Sequence, residues 1–328
     1  MEQRDTEIPW IINLELTNHC QLGCVFCDHP VLKNKMRLGS MDDSLLLKIQ
    51  SDVERDWGDE KIHELGLVGL GEPTLDKGWI RHLQIIDNYA QRFDRISLNS
   101  NLVSLSPKKT REVLDSSVNT FTFSINASNK QHYLEMMGAN QFDRVVENFN
   151  HFLEAWKKSG KDASVDVQVF DSNQSSVEEL MELFPQASKL GVNFFSRKVY
   201  SKPVIWGSSE VVSLHIPSIN NRYPCWDIYT RIYIDIDGLL YPCTIGNDSY
   251  RKDSELCLGN VMESSINHIF NGERNQSARE LFERGKLAYP ECEKCNVWNL
   301  TPNNFEWDER GNKWLKKPRP VRAYNLKT

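Results

Sequence analysis

No stretch of this 328-residue chain approaches the ~18 to 20 consecutive apolar residues that a membrane-spanning helix requires. The N-terminus, Met1-Glu2-Gln3-Arg4-Asp5, has no apolar h-region of the kind a secretory signal carries. These absences lead us to expect a cytoplasmic protein with no membrane partner. Excess positive charge is missing too. A formal net charge of -6 argues against nucleic acid or another polyanion as the main partner. The local exception, Lys313, Lys316, Lys317, Arg319, Arg322 and Lys327, reads as a solvated tail, the usual nature of short charge runs at chain ends. Internal repeats and low-complexity segments are lacking. Histidines are few, and His19 and His29 read as hydrogen-bonded bystanders. The remaining composition, 40% hydrophobic and 26% charged, is that of a globular protein able to bury a core. Length suggests two domains or one large domain with an appendage.

What stands out is cysteine. In a reducing compartment clustered cysteines mean metal or catalysis before disulfides. Cys20, Cys24 and Cys27 form a C-x-x-x-C-x-x-C run directly after the apolar segment Ile11-Ile12-Asn13-Leu14-Glu15-Leu16. Three thiolates at one point leave one position of a 4Fe-4S cluster, which normally takes four cysteines, without a protein ligand. Further along, Ile232, Ile234 and Ile236 alternate into an Asp237-Gly238 turn, giving a hairpin bounded by Cys225 and Cys243. Cys292-Glu293-Lys294-Cys295 then supplies a C-x-x-C. Two and two complete a four-sulfur set, which by spacing alone fits either an auxiliary iron–sulfur cluster or a structural zinc.

Short β-like runs at 12–17, 64–70, 95–99, 119–126, 164–170 and 192–199 alternate with helical patterns at 42–57, 78–92, 107–115, 141–158 and 175–189. That alternation predicts α/β architecture with a parallel sheet. Pro203, Gly207, Pro217 and Pro224 mark residues 201–224 as a linker between an N-terminal unit, 1–200, and a cysteine-rich unit, 225–298. A helical stretch is expected near 264–284. Residues 299–328 form a C-terminal tail in which Trp307 and Trp314 are candidates to pack on the body.

The cysteine run and its position after the first strand resemble the radical S-adenosylmethionine (AdoMet) superfamily. The Cys225-x12-Gly238-x4-Cys243 and C-x-x-C pattern resembles the twitch form of the SPASM domain, with Leu258-Gly259-Asn260-Val261 and Trp298 in similar dress. The resemblance covers roughly residues 11 to 298. It implies a partial (β/α)6 TIM-like barrel with a small cysteine-rich hairpin-plus-helix domain at its C-terminal side. It further implies a 4Fe-4S cluster on Cys20, Cys24 and Cys27 with AdoMet at its open iron, and a second, auxiliary 4Fe-4S cluster on Cys225, Cys243, Cys292 and Cys295. Chemistry in such barrels lies at the C-terminal ends of the strands. There Phe26 would contact adenine through its backbone. Gly71 and Glu72, in Gly69-Leu70-Gly71-Glu72-Pro73, would bind the methionine amino group, the glycine by close approach and the carboxylate by hydrogen bonding. Asn99, Asn101, Ser124 and Asn126 end two strands, where they read as ribose and carboxylate contacts or as loop caps. Arg197 would pair with a carboxylate or hold a substrate oxygen.

The resemblance implies reductive cleavage of AdoMet to a 5′-deoxyadenosyl radical that abstracts hydrogen from carbon. It also implies a one-electron reductant such as flavodoxin or ferredoxin. Twitch proteins of this size are similar to aminocyclitol dehydrogenases and aminoglycoside epimerases, so the expected substrate is a small polar molecule. Cys257, left over from both sulfur sets, reads as a small buried hydrophobe or as a hydrogen-atom donor, and the spare thiol inclines the reading to epimerisation. Oxidation of a secondary alcohol with the auxiliary cluster as acceptor, modification of a ribosomally made peptide, and a non-enzymatic iron–sulfur carrier stand as alternatives. About ten residues precede the first strand, too few for the leader-binding domain of many peptide-modifying relatives.

Overall fold

The computed structural model describes residues 7–170, 174–196, 225, 227–243 and 254–293, together with the backbone of 305–307 and 313–315. Six parallel strands, β1 (Ile11–Leu14), β2 (Ile62–Leu67), β3 (Phe93–Ser100), β4 (Thr120–Asn126), β5 (Ser164–Val169) and β6 (Asn193–Ser196), lie side by side in chain order. Each pair is bridged by helix: α1 (His29–Leu32) and α2 (Asp43–Asp56), α3 (Trp79–Asp87), α4 (Pro107–Asp115), α5 (Lys130–Met137) and α6 (Phe142–Ser159), then α7 (Val177–Leu183) and α8 (Pro185–Lys189). This is the βα repetition that the alternating patterns predict. The sheet does not close.

Period-two alternation divides every strand into two faces. Leu14, Leu67, Leu98, Phe121, Phe123 and Val167 are fully buried in one large core with α2, α3 and α6. Helix α6 explains its own packing: Phe142, Val145, Phe149, Phe152 and Leu153 fall on one stripe. Phe123 meets the edges of Phe149 and Phe152 at 5.6 and 4.7 Å between ring centres. At about 25 cal/mol per Å² of apolar surface, such rings are large contributors to stability. The other face of the same strands is polar and holds the candidate site.

After α9 (Asp227–Thr230), β7 (Arg231–Ile234) and β8 (Leu239–Tyr241) form the expected hairpin, with Gly238 at φ 80° in its turn. The hairpin is continuous with the barrel sheet. β7 pairs in parallel with β1, from Ile11↔Arg231 to Leu14↔Ile234, and β9 (Gly259–Asn260) pairs with β8. The full order is β6-β5-β4-β3-β2-β1-β7-β8-β9. The physical cause is the open edge that six strands would leave at β1. β7 covers it and sends Ile232 and Ile234 into the main core. On the opposite face, Tyr233, Tyr241, Leu256, Cys257, Ala278 and Phe282 form a second, smaller core.

The helical stretch expected at 264–284 is two helices, α10 (Ile266–Phe270) and α11 (Glu273–Glu283), broken at Gly272. Likewise 175–189 is broken before Pro185, which has no N–H to continue α7. Backbones of β10 (Phe305–Trp307) and β11 (Lys313–Leu315) pair antiparallel within the segment expected to be a tail. The packing foreseen for Trp307 and Trp314, the 201–224 linker, Arg197, Cys295 and Trp298 lie outside the described residues.

Candidate functional site

The loop after β1 is braced on three sides. Asn18 accepts from the Gly39 amide at 2.8 Å and donates to the Arg37 carbonyl at 2.8 Å, and Thr17 donates to the Gly39 carbonyl at 2.7 Å. His29 is buried and bonds the Asn18 carbonyl at 2.9 Å, a hydrogen-bonded histidine as expected. On the second side, the Gly69–Pro73 turn lies against the loop's entrance: the Glu72 amide donates to the His19 carbonyl at 2.8 Å. A Cβ on Gly71 would come within 2.2 Å of the Thr17 carbonyl oxygen, so only glycine allows this approach. On the third side, α5 presents its C-terminus. The Met137 and Met136 carbonyls accept from the Gly23 and Val25 amides at 3.1 and 3.0 Å. Gly138, left-handed at φ 66°, stands where a Cβ would meet the Gly23 oxygen at 2.5 Å.

The loop places Cys20, Cys24 and Cys27 within electrostatic reach of one another. Burial pushes the Cys20 thiol up to about 12, with Glu72 and Cys27 adding to the shift. Cys24 is raised further by burial and then by the charges of Cys27 and Cys20. Three part-buried thiols that oppose each other's ionisation are a ligand set short of positive charge, which a bound iron cluster supplies. No three acidic, cysteine or histidine side chains among the described residues converge on a single metal ion. A cubic cluster, whose corners are spread apart, asks for a wider triangle than one ion does.

Glu72 is buried and heavily engaged. One oxygen accepts from the Thr74 amide (3.2 Å), the Thr74 hydroxyl (2.6 Å) and the Ser100 hydroxyl (2.8 Å); the other accepts from the Asn101 amide at 2.7 Å. Burial raises its pKa against these hydrogen bonds. Asn101 extends the chain of contacts: its side chain accepts from Gln21 at 2.9 Å and its amide nitrogen lies 3.8 Å from Cys20 Sγ. Asn126, at φ 65°, points its amide at Met137 Sδ (3.5 Å), which lies 3.8 Å from Cys24 Sγ. Gln168 donates to both Ser124 and Asn126, at 2.9 and 3.1 Å. Asn99 pairs with Thr122 on the same face. Leu102 and Asn126 are left-handed non-glycine residues at the ends of β3 and β4, strain of a kind that collects at functional sites. Phe26 packs edge-on against Phe170 at 4.4 Å.

Two carboxyls that sequence reasoning missed sit where β1 meets β7. Glu15 is 1% exposed and accepts from the Leu70 amide at 2.8 Å, with the Tyr233 hydroxyl and the Ile236 amide as further hydrogen-bond donors to the carboxyl. Burial, and then the charge of Asp235, raise it to about 7. Asp235, 4% exposed, accepts from the Asp237 and Leu239 amides, each at 2.9 Å, and burial raises it to about 7 as well. Asn13, two residues before Glu15 on the same face, has an unpartnered buried Nδ2. The signal was present in Asn13-x-Glu15, polar residues alternating along a strand otherwise apolar.

Of the second sulfur set, Cys225, Cys243 and Cys292 are part-buried. Burial, then the charges of Cys243 and Cys292, raise the Tyr289 hydroxyl, which puts both sulfurs near one ring. Cys257 is 3% exposed in the smaller core, its Sγ 3.7 Å from the Gly259 carbonyl.

A parallel α/β sheet with three cysteines on its first C-terminal loop and further cysteines on an added hairpin defines an iron–sulfur protein with two sulfur sets. The chain belongs to the Radical SAM superfamily, whose model matches residues 14–193, and the SPASM iron-sulfur cluster-binding domain matches residues 225–296. A 4Fe-4S cluster and AdoMet are the cofactors of this family, and the SPASM domain adds auxiliary iron–sulfur ligation. Solved structures share the fold. BtrN in complex with AdoMet and 2-DOIA is 16% identical with a TM-score of 0.57, over 88% of this chain and 94% of that one. Streptococcus suis SuiB bound to precursor peptide SuiA is 14% identical with a TM-score of 0.54, over 89% and 70%. Native anSMEcpe with bound AdoMet and Cp18Cys peptide is 16% identical with a TM-score of 0.53, over 88% and 86%. No curated protein matches this chain. Among the described residues no helix is long and apolar enough to cross a membrane.

Proposed function

We propose that this enzyme abstracts hydrogen from a carbon of a small polar substrate, of the sugar or aminocyclitol type, and oxidises that carbon. The carrying observation is the polar face of the sheet, and within it the buried Glu15 carboxyl and, two residues before it on the same face, the unpartnered Asn13 Nδ2. An unpaired buried amide is costly, and a substrate hydroxyl would satisfy it, accepting from Asn13 and donating to the Glu15 carboxylate.

When bound, the cofactors supply a 5′-deoxyadenosyl radical at Cys20, Cys24 and Cys27 and a one-electron acceptor at Cys225, Cys243, Cys292 and Cys295. The chain's own residues do the rest. Glu72 holds Ser100 and Asn101 at the end of β3, and Asn101 holds Cys20, so the carboxylate fixes the cofactor's seat as well as offering it a charge. Phe26 and Gly71 on the loops after β1 and β2, Asn99 on β3, Ser124 and Asn126 on β4, and Arg197 are the remaining proposed cofactor contacts. Oxidation of a hydroxyl-bearing carbon radical releases a proton. Glu15 and Asp235, raised to about 7, match an acceptor working near neutral pH.

Epimerisation is the second reading, favoured by Cys257, a buried cysteine outside both sulfur sets in the core that also holds Tyr233, two residues before Asp235. The test is anaerobic turnover in D2O with a panel of aminocyclitols and amino sugars. Substrate-dependent 5′-deoxyadenosine with a carbonyl product, unchanged in Cys257→Ala, supports oxidation. Solvent deuterium at one inverted carbon, lost in Cys257→Ala, would favour epimerisation instead. Activity with peptides alone would overturn the substrate class.

A further inference from the structure

Tyr133 is fully buried on α5, and its hydroxyl has no hydrogen-bond partner. Its ring packs against Phe142 at 5.7 Å between centres, a contact that a phenylalanine would make equally well. The hydroxyl therefore costs stability without improving the packing. Tyr133 stands one turn before Met137 on the same helix face, and Met137 Sδ lies 3.8 Å from Cys24 Sγ. At the end of that helix the Met136 and Met137 carbonyls hold the Val25 and Gly23 amides, which fixes α5 against the cysteine loop. Burial, and then the charges of Cys24, Cys20 and Glu72 in that order, raise the pKa of Tyr133, so its hydroxyl keeps its proton and can donate. Glu72 already accepts from four donors, which leaves the sulfurs as the acceptors at hand. Tyr89 offers a contrast: its hydroxyl is equally buried and unpartnered, but the charge that reaches it is that of Glu54.

We propose that the Tyr133 hydroxyl donates a hydrogen bond to a sulfur of the cluster held by Cys20, Cys24 and Cys27, and thereby raises the reduction potential of that cluster. The proposal rests on the reading of these three cysteines as a cluster site. An added electron makes the cluster more negative, so a hydrogen bond to sulfur stabilises the reduced form more than the oxidised one. Tyr133 thus eases the one-electron reduction that must precede cleavage of AdoMet, without touching substrate.

The experiment is a redox titration of the reconstituted full chain, followed by EPR without AdoMet. The signal of the three-cysteine cluster is identified as the one that changes when AdoMet is then added. In Tyr133→Phe the ratio of reduced to oxidised cluster at a fixed potential is expected to fall about tenfold, a downward shift of ~59 mV for one electron. The auxiliary signal, and both signals in Tyr89→Phe, are expected to match the wild type. A merely structural role predicts the opposite sign, because a loosened core admits water and water favours the more highly charged reduced state. An ortho-fluorinated tyrosine in place of Tyr133, a stronger donor of nearly the same shape, is expected to shift the potential upward, and it decides the matter if the phenylalanine variant does not retain its iron. An unmoved potential in both replacements, or an equal fall in Tyr89→Phe, overturns the proposal. So does weaker AdoMet binding at an unmoved potential, which would make AdoMet the partner of the hydroxyl. A wild type in which no signal responds to AdoMet would overturn the cluster reading itself, and the proposal with it.

Discussion

The two faces of β1 differ in kind. Ile12, Leu14 and Leu16 enter a core shared with every neighbouring strand and with α2, and each could be replaced by another hydrophobe of similar volume at modest cost. Asn13, Glu15 and Thr17 alternate with them on a polar face, where the Asn13 amide nitrogen lacks a partner and burial pushes the Glu15 carboxyl up to about 7. One strand thus shows the division across the sheet: the apolar face sets the fold, and the polar face holds the residues proposed for the chemistry, at a cost in stability.

Damage to each face should therefore read out differently. Phe123→Ala on the apolar face is expected to cost about 4 kcal/mol of unfolding free energy while AdoMet affinity of the folded protein stays within about twofold. Denaturant melts and equilibrium dialysis check this, and a large affinity loss would blur the distinction. Gly71→Ala acts on the other side. Its Cβ would drive against the Thr17 carbonyl, and we expect AdoMet binding to weaken by about 10- to 100-fold, or roughly 1.4 to 2.7 kcal/mol.

Glu15 and Asp235 sharpen the comparison through pH. Their folded pKa values are raised, so the stability linked to them is fully present below the ordinary carboxylate range and is lost as pH rises through about 7. Between pH 5 and pH 8 the Glu15→Gln/Asp235→Asn variant should lose roughly 2 kcal/mol less than the wild type in anaerobic urea melts. Parallel losses would mean that these groups are ionised at ordinary pH. The smallest effect belongs to the periphery. Ser106 caps α4 by accepting from the Lys109 amide, and Ser106→Ala is expected to cost about 1 kcal/mol with turnover unchanged.

How far the sequence discloses this arrangement depends on how local each signal is. The cysteine loop and the Gly69–Pro73 turn are contiguous, so their chemistry is visible in the residue order. Strands β1 to β5 are visible because their apolar faces alternate cleanly. Met137 was hidden, since its contact with Cys24 joins residues 113 apart and a thioether in a short helix carries no pattern. Asp235 stands unmarked among the isoleucines that lead into the Asp237-Gly238 turn. Its burial arises only when β7 pairs with β1, and the run of strand and turn residues around it says nothing of that partner. The internal bonding of Glu72 was equally hidden: a carboxylate in a binding turn also ties β3 to the loop.

The central claim, a three-cysteine cluster site joined to a separate auxiliary one, is tested most directly by counting iron and sulfide per chain after anaerobic reconstitution. The wild type and a variant with Cys20, Cys24 and Cys27 all changed to Ala would be compared. The account predicts about eight irons falling to about four, two cubic clusters of which one is removed. About four irons falling to none, with zinc retained on the remaining cysteines, would contradict it and remove the electron acceptor that the proposed oxidation requires.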